Sequence, residues 1–473
     1  MSTDPRRAAA VSALAIAALG LLVVGCAVGP NFVLPAAPKS ASYAAPSERA
    51  ALGGAVNPKW WSGFGSAALD DLVARGVANS PTLASAQAAL RQSQAQARAG
   101  AGVFWPSAGA SFDAARQRTT PLRLGEPGGS ATYSLYTLTG AVSYAIDLFG
   151  GERRSVEALR ANVDRQRYAE GAAYLLLTGS IVDAAIAEAG YAQEAAILDQ
   201  IVERETAQRA ILEAEYRAGH GAWAAVLAVD LQLQADRATA AGVRQRLAAS
   251  TTLLKTLLGR ESAGALPDLP GLEALTTPTV VPVALPSALV RQRPDILQAE
   301  ASLHIASAQV GVATAALFPS ISITGEGGAL NTQLGRLGAP VGQFWSIEPS
   351  VNLPLFQGGA FWFSRRAAEA AYVEAKADYR QTVLAALEQV ADSIAALDTD
   401  AAVFAANQAA ARAATAIAGL GQVNATAGVA ADVDTLTLQV QADRARLSLA
   451  GSKAQQLQDA AALYVASGGG WAP

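Results

Sequence analysis

Hydrophobic positions recur at helical spacing over two very long stretches of the chain. The first spans residues 152–258 with a break at 219–221, and the second spans 360–465 with a break at 426–428. Apolar residues at intervals of three and four indicate amphipathic helices. The first unbroken run, from Glu152 to Arg217, would extend about 99 Å at 1.5 Å per residue. The pattern therefore predicts two long antiparallel helical hairpins.

Two shorter regions, 107–148 and 320–356, alternate between apolar and polar positions instead. The apolar members that share a parity are Tyr136, Leu138, Val142, Tyr144 and Ile146 in the first region, and Trp345, Ile347, Val351, Leu353 and Leu355 in the second. Such alternation, rich in aromatic and β-branched residues, is typical of strands with one apolar face. Each region has an exposed loop at its centre. We therefore predict one β-hairpin in each region, four strands in all.

The chain repeats itself. Residues 231–238 read LQLQADRA and residues 438–445 read LQVQADRA. Upstream, Pro81, Leu90 and Pro106 are matched, with unchanged spacing, by Pro294, Leu303 and Pro319. The unit is far longer than a solenoid repeat of about 20–50 residues. The predicted organisation is a first repeat at 67–262, a proline-rich connector at 263–286 and a second repeat at 287–473.

The N-terminus has the layout of a secretory signal followed by a lipid attachment site. Arg6 and Arg7 precede an apolar run that ends at the chain's one cysteine, Cys26. The sequence VVGC resembles the lipobox of bacterial lipoproteins, in which the cysteine is lipidated and becomes the new N-terminus. We therefore predict a signal peptide at 1–25, lipidation of Cys26 and an extended lipidated tether at 26–66. An uncleaved membrane anchor is the alternative, although the run is short for a span of about 20 residues.

Composition narrows the classes of function. The formal charge of −4 provides no basic surface, so nucleic acid is not an expected partner. One cysteine and two histidines exclude an intrachain disulfide and a histidine-rich metal site. No nucleophile–base pair, metal-ligand spacing or phosphate-binding motif is present, so we expect neither an enzyme nor a cofactor.

Four strands cannot close a barrel, and two isolated hairpins would leave exposed edges. In lipid, every backbone polar group must be satisfied. Three copies of the chain would supply 12 strands, enough for a barrel with an open lumen. The expected fold class is therefore an α+β membrane protein. It is a homotrimer of internally duplicated chains, whose 12-stranded β-barrel is continued by an α-helical tunnel.

Several segments resemble the TolC-like outer-membrane efflux proteins, and the NodT-type lipoprotein branch fits best. They are CAVGPNFVLP (26–35), LPSALVRQRPDIL (285–297), LLKTLLG (253–259), GGGW (468–471) and the strand ends LFGG and LFQGG. The resemblance covers essentially the whole mature chain. It implies the same trimeric barrel and tunnel, located in the cell outer membrane and extending into the periplasm. It also implies a periplasmic adaptor protein and an inner-membrane pump of the resistance–nodulation–division type as partners.

The same resemblance assigns candidate functional residues to the turns of the two helical hairpins. These turns would form the periplasmic tip, where the adaptor docks and the aperture closes. The docking candidates are Gly219, His220, Gly221, Gly428 and Val429. The aperture candidates are Asp432 and Asp434, which would place six carboxylates around the trimer axis. The alternative is that Asp432 is an ordinary helix N-cap and first-turn residue. A family acid is replaced here by Thr437.

These features predict the outer-membrane channel of a tripartite efflux system that passes small molecules to the exterior. Two alternatives stay open at this stage. One is a TolC-like exit channel for type I protein secretion, which would use the same tube for a different cargo. The other is a lipid-anchored periplasmic coiled-coil scaffold, which would not need the alternating strands.

Overall fold

The computed structural model describes residues 27–43, 47–54, 56–120 and 128–471. The predicted signal peptide and Cys26 lie outside the described residues. The chain divides into two compact units. The first contains Met1–Leu34, Arg91–Arg165 and Ala299–Tyr379, and the second contains Pro35–Leu90, Gln166–Gln298 and Arg380–Pro473.

The helices and strands follow one another in the order that the duplication predicts. The α-helices are α1 (Ala67–Asn79), α2 (Pro81–Gly100), α3 (Gly151–Arg217), α4 (Trp223–Leu257), α5 (Pro286–Leu289), α6 (Pro294–Ala315), α7 (Ala360–Thr426) and α8 (Asp432–Ala466). The strands are β1 (Ala50–Leu52), β2 (Ser107–Thr119), β3 (Ala131–Ile146), β4 (Val281–Val283), β5 (Ser320–Asn331) and β6 (Gln343–Asn352). Short 3₁₀ helices lie at Trp60–Phe64, Ala101–Phe104, Leu272–Ala274, Leu334–Arg336 and Pro340–Gly342.

The two helical hairpins have equal dimensions. Helices α3 and α7 contain 67 residues each, and α4 and α8 contain 35 each. The connections are residues 218–222 and 427–431, of equal length. Helix α7 continues to Thr426, the first residue of the predicted break at 426–428. Counted from the helix starts, each position in the first hairpin has an equivalent 209 residues later, since 360 − 151 = 209 and 432 − 223 = 209. The two LQxQADRA segments lie 207 residues apart and are therefore shifted by two residues from this equivalence.

The four long strands form one antiparallel sheet in the first unit, in the order β2-β3-β5-β6. The prediction of four long strands in two hairpins is confirmed. The prediction of four strands for the whole chain was incomplete, because β1 and β4 form a second, parallel sheet. Each of these strands has three residues, and β4 contains Pro282, so neither shows a strand pattern in the sequence.

An aromatic cluster anchors the second unit. Trp60, Trp61 and Phe64 are buried. The ring of Trp60 stacks on Tyr464 of α8 with centroids 5.4 Å apart. The tether is thus fixed to the helices at this point instead of remaining extended and free of contacts.

Candidate functional site

The two faces of the long sheet differ in chemistry. Cross-strand partners share a face, and the register puts these exposed apolar residues on one side: Phe112, Leu138, Val142, Tyr144, Ile323, Trp345, Ile347 and Val351. The opposite side carries Asp113, Glu326 and Glu348 among serines and threonines. Its apolar exceptions, near the loop end of the sheet, are Tyr133, Leu135, Leu330 and Phe344. Alternation of this kind suits a sheet with lipid on one side and water on the other.

The sheet also ends in two unsatisfied edges. In the described residues, β2 pairs only with β3, and β6 pairs only with β5. Both edge strands are long, with 13 and 10 residues. An exposed edge of this length is a template for another strand.

The turns of the two helical hairpins have the same backbone design. Gly219 and Gly428 adopt left-handed conformations with φ of +79° and +71°. His220 N–H donates to Glu215 O, and Val429 N–H donates to Asn424 O, both at 2.9 Å. These are Schellman C-caps, in which glycine takes the left-handed position without a steric penalty.

The remaining docking candidates differ between the turns. Val429 is 78% exposed, and His220, at the equivalent position of the other turn, is also exposed. Gly221 follows His220, and a Cβ added there would lie 3.1 Å from Tyr216 N. The turns therefore share a backbone and present different side chains.

The aperture candidates lie in the first turn of α8. Asp432 and Asp434 are both in the first turn, where a carboxylate interacts favourably with the helix dipole. The alternative for Asp432 is confirmed as to the first turn and wrong as to the N-cap, because the cap is Ala431, which makes no side-chain capping bond. Thr437 accepts a hydrogen bond from Gln208 of α3 at 2.8 Å. This position therefore joins two helices within the chain.

The repeated LQxQADRA segments meet in a buried ionic cluster that the sequence did not reveal. Arg444, from the second copy, lies 2.8 Å from Asp236 of the first copy. Its guanidinium also lies 2.8 Å from Oε1 of Glu205 in α3, a residue that is 2% exposed. One cation therefore joins carboxylates from α3 and α4 to α8.

A second charge cluster lies next to the first. Asp443 is fully buried, with Arg204 Nη1 of α3 2.7 Å from its Oδ2 and Arg446 Nη1 of α8 3.1 Å from its Oδ1. The two clusters together contain three carboxylates and three guanidiniums. Their charges balance when every group is ionised.

Burial raises the pKa of Glu205 to about 7, and the neighbouring Asp236 carboxylate acts in the same direction, while Arg444 opposes the shift. The two carboxyl groups are within hydrogen-bonding reach, so a proton on Glu205 can be donated to Asp236. In the sequence, the one indication of this ionic cluster was the Asp-Arg pair that recurs in the two LQxQADRA segments.

The N-terminal arm of the first unit is held by specific contacts. The buried side chain of Arg154 donates to Asn31 Oδ1 at 2.7 Å and is paired with Glu157 at 2.7 Å. Glu157 also lies 2.9 Å from His304, whose ring stacks on Phe32 with centroids 4.3 Å apart. His304 thus links α6 to Glu157 of α3 and contacts the N-terminal arm through Phe32.

The LPSALVRQRPDIL segment has a structural role at the start of α6. Arg293 is 7% exposed and donates to both carboxylate oxygens of Asp295. It also donates to Ala466 O at 2.8 Å and Gln389 Oε1 at 2.9 Å. The Arg293 guanidinium thus links the start of α6 and the end of α8 to α7.

No cluster of three His, Cys, Asp or Glu side chains suited to a metal ion occurs within the residues that the structure describes. The polar groups that are present instead line one sheet face, cap the hairpins or join helices.

Comparisons with known proteins identify this architecture. The chain is 29% identical to the toluene efflux pump outer membrane protein TtgC of Pseudomonas putida over 474 residues, covering 97% of this chain and 96% of that protein. It is 28% identical to Nodulation protein T of Rhizobium leguminosarum bv. viciae, covering 97% and 94%. The solved outer-membrane channel OprN superimposes with a TM-score of 0.84 at 27% identity, covering 95% of this chain and 100% of that one.

A family model for outer membrane efflux proteins matches residues 72–260 and 285–469. These two matched segments correspond to the two repeats and leave out most of the connector. The chain therefore belongs to the outer membrane efflux protein family.

Proposed function

We propose that this outer-membrane efflux protein works as a homotrimer with a 12-stranded β-barrel and an α-helical tunnel. Family membership makes the chain the outer-membrane channel component of a tripartite efflux system. The observation that supports the trimer is the four-stranded sheet with two open edges and one apolar face. Pairing β6 of one chain with β2 of the next in three copies would satisfy both edges and close the barrel.

The lipid-facing side of this barrel would be the apolar sheet face. Trp345, Ile347 and Val351 on edge strand β6 are 77%, 66% and 67% exposed in the single chain. Outer-membrane lipid would cover them, and the face with Asp113, Glu326 and Glu348 would line the lumen. We propose that Cys26, at the end of a signal peptide at 1–25, carries the lipid that anchors the mature chain.

A periplasmic adaptor and an inner-membrane pump of the resistance–nodulation–division type would complete the system. We place adaptor docking at the hairpin turns, with Gly219, His220, Gly221, Gly428 and Val429 as contact candidates. The two turns share a backbone conformation and differ in their exposed side chains. This supports the assignment, because one adaptor surface could contact each turn through different side chains.

Small molecules are the proposed cargo. TtgC is named for toluene efflux, and this supports a small organic compound over a secreted protein. The periplasmic scaffold alternative does not require β-strands, so the long strands of the β-hairpin argue against it. A deletion strain should become more susceptible to organic solvents and drugs, with full complementation by the intact gene. Loss of a secreted protein with unchanged susceptibility would instead favour the type I secretion channel.

We predict that replacing both Asp432 and Asp434 by alanine raises the single-channel conductance of the purified trimer in a planar bilayer. Six clustered carboxylates around one axis would attract cations, hold divalent ions and narrow the aperture. Removing them should also reduce block by divalent cations. Asp230→Ala, in the first hairpin, is a matched control, because its carboxylate pairs with Arg209 at 3.1 Å on the adjoining helix. Unchanged conductance and unchanged divalent block in the double variant would contradict the aperture assignment.

A further inference from the structure

An open cavity of about 680 Å³ lies among the long helices of the second unit. Residues of α3, α7 and α8 line it, together with Arg293, Pro294 and Asp295 at the start of α6. Small-molecule sites in proteins have volumes of about 300–1,000 Å³ and combine an apolar lining with a few polar groups. The cavity therefore has the size of a binding site for a drug-sized molecule.

Much of the lining is apolar. Leu176 of α3 lines the cavity and is 64% exposed in the single chain. The other apolar lining residues include Leu175 on α3 and Ala461, Ala462 and Val465 on α8. Contact with these side chains would remove the hydrocarbon or aromatic surface of a ligand from water. The lining therefore favours a ligand with an apolar body.

The charge of the lining is negative. Its cation is Arg293, whose guanidinium donates to both carboxylate oxygens of Asp295. That pair is neutral, so the carboxylates of Asp183 on α3 and Asp392 on α7 are left to set the charge of the cavity. Among the residues that the structure describes, neither of these two carboxylates forms an ion pair with an arginine or a lysine. The cavity therefore combines apolar surface with two carboxylates that lack a cation.

The surroundings of Asp183 add further negative charge. Partial burial raises the pKa of Asp183, the hydrogen bond from Gln458 at 2.9 Å lowers it, and the nearby Asp459 carboxylate raises it. Asp459 also raises the pKa of Asp400 on α7, which burial and this neighbour bring to about 7. Carboxylates close to one another repel. A bound cation would relieve this repulsion at the end of the cavity that contains Asp183.

The cavity opens on the uncovered face of α8. The opposite face is covered, because Tyr464 stacks on Trp60 and Lys453 pairs with Glu273 at 3.2 Å. Ala462, which lines the cavity, is two residues from Tyr464 and so lies about 200° away around the helix. The segments that cover α8 would obstruct a tunnel if they lay inside it. In the proposed trimer, the face with Ala462 would therefore line the lumen.

We infer that this cavity binds amphipathic organic cations as they pass through the tunnel. Asp183 and Asp392 hold the positive charge, and Leu176 contacts the apolar body. The attraction between the cation and the carboxylates is strengthened by the apolar lining, which lowers the local dielectric constant. The inference rests on the proposed efflux function, to which it adds a class of compound and a place where that compound binds.

Ethidium, a permanent organic cation with an aromatic body, is the probe for this site. Fluorescence titration of the purified full-length trimer in a nonionic detergent should show saturable binding that weakens as the ionic strength rises. Asp183→Asn together with Asp392→Asn keeps the shape of the lining and should lower the affinity about tenfold, because two partly exposed charge contacts are lost. Ala462→Trp should also weaken binding without a change of charge, because Ala462 is exposed and the indole would occupy the cavity.

The matched control combines Glu203→Gln on α3 with Asp398→Asn on α7. These substitutions also remove two carboxylates, and neither residue lines the cavity. Glu203 is exposed, and Asp398 accepts a hydrogen bond from Ser47 at 2.8 Å. We expect the control to bind ethidium with the affinity of the wild type. Naphthalenesulfonate, an aromatic anion, should not displace ethidium from any of these proteins.

Three results would overturn the inference: no saturable binding to the wild type, wild-type affinity in the Asp183→Asn and Asp392→Asn double variant, or displacement by naphthalenesulfonate. The efflux function is judged separately, by whether the intact gene restores the drug and solvent resistance of the deletion strain. If resistance is restored and the titration fails, the efflux function stands and the cavity assignment is wrong. If resistance is not restored, the efflux function fails, and the titration still decides whether the cavity binds organic cations.

Discussion

Replacing Arg444 by methionine is expected to lower the free energy of unfolding by about 2–4 kcal/mol. Methionine keeps the aliphatic bulk but removes the guanidinium that lies 2.8 Å from both Glu205 and Asp236. Two adjacent carboxyl groups would then remain without that cation, and Glu205 is 2% exposed. The Arg444 side chain is 40% exposed, so solvent screening keeps the effect below that of a fully buried pair. Thermal and denaturant unfolding of the purified protein at fixed concentration measures the change.

The repeat supplies a matched control. Arg237 occupies the same place in the first LQxQADRA segment and is exposed, so Arg237→Met should change the free energy of unfolding by less than about 0.5 kcal/mol. Adding Glu205→Gln to Arg444→Met should recover part of the loss, because it removes one of the two uncompensated carboxyl groups. A loss from Arg237→Met as large as that from Arg444→Met would show that the ionic cluster is not its source.

Between pH 4.5 and pH 7 the wild-type protein is expected to lose about 3 kcal/mol of stability that the Glu205→Gln variant does not lose. Burial beside Asp236 raises the pKa of Glu205 from 4.5 to about 7. The folded chain therefore holds a proton that the unfolded chain releases above pH 4.5. This contribution is fully present below pH 4.5 and disappears as the pH rises through 7.

The measurement is the free energy of unfolding of both proteins from pH 4 to pH 8, compared as a difference so that other titrating groups cancel. Glu203→Gln is the matched control, because Glu203 lies two residues earlier on the same helix and is exposed. Its pH profile should follow that of the wild type. A Glu205→Gln profile parallel to the wild type would contradict the assignment of the shared proton to this cluster.

Local pattern was enough to predict the elements that repeat over many residues. The long hairpins follow from apolar spacing, and their ends follow from Gly219 and Gly428, whose left-handed backbone stops a helix. The hairpins of the sheet follow from alternation over strands of 10–16 residues. A hydrophobic period that recurs over many residues predicts a helix or strand even when the elements that pack against it are not known.

Features that depend on distant partners could not be predicted. The strands Ala50–Leu52 and Val281–Val283 are too short to show a period, and they pair across more than 200 residues of chain. The grouping of Glu205, Asp236 and Arg444 requires the packing of three helices, which no single segment encodes. The contact of Phe32 with His304 likewise joins an arm of irregular sequence to a helix. From the sequence alone, charged residues in such helices are expected to face solvent, because their neighbours in space are not known.

The buried ionic clusters also determine where a wall of such helices can come apart. Pulling α8 away from α3 would separate Asp443 from Arg204 and Glu205 from Arg444. At the equivalent position on α7 the residue is Ala414, since 205 + 209 = 414, which carries no charge. In the proposed trimer, the ionic clusters would therefore hold α3, α4 and α8 of one chain together when the tip opens.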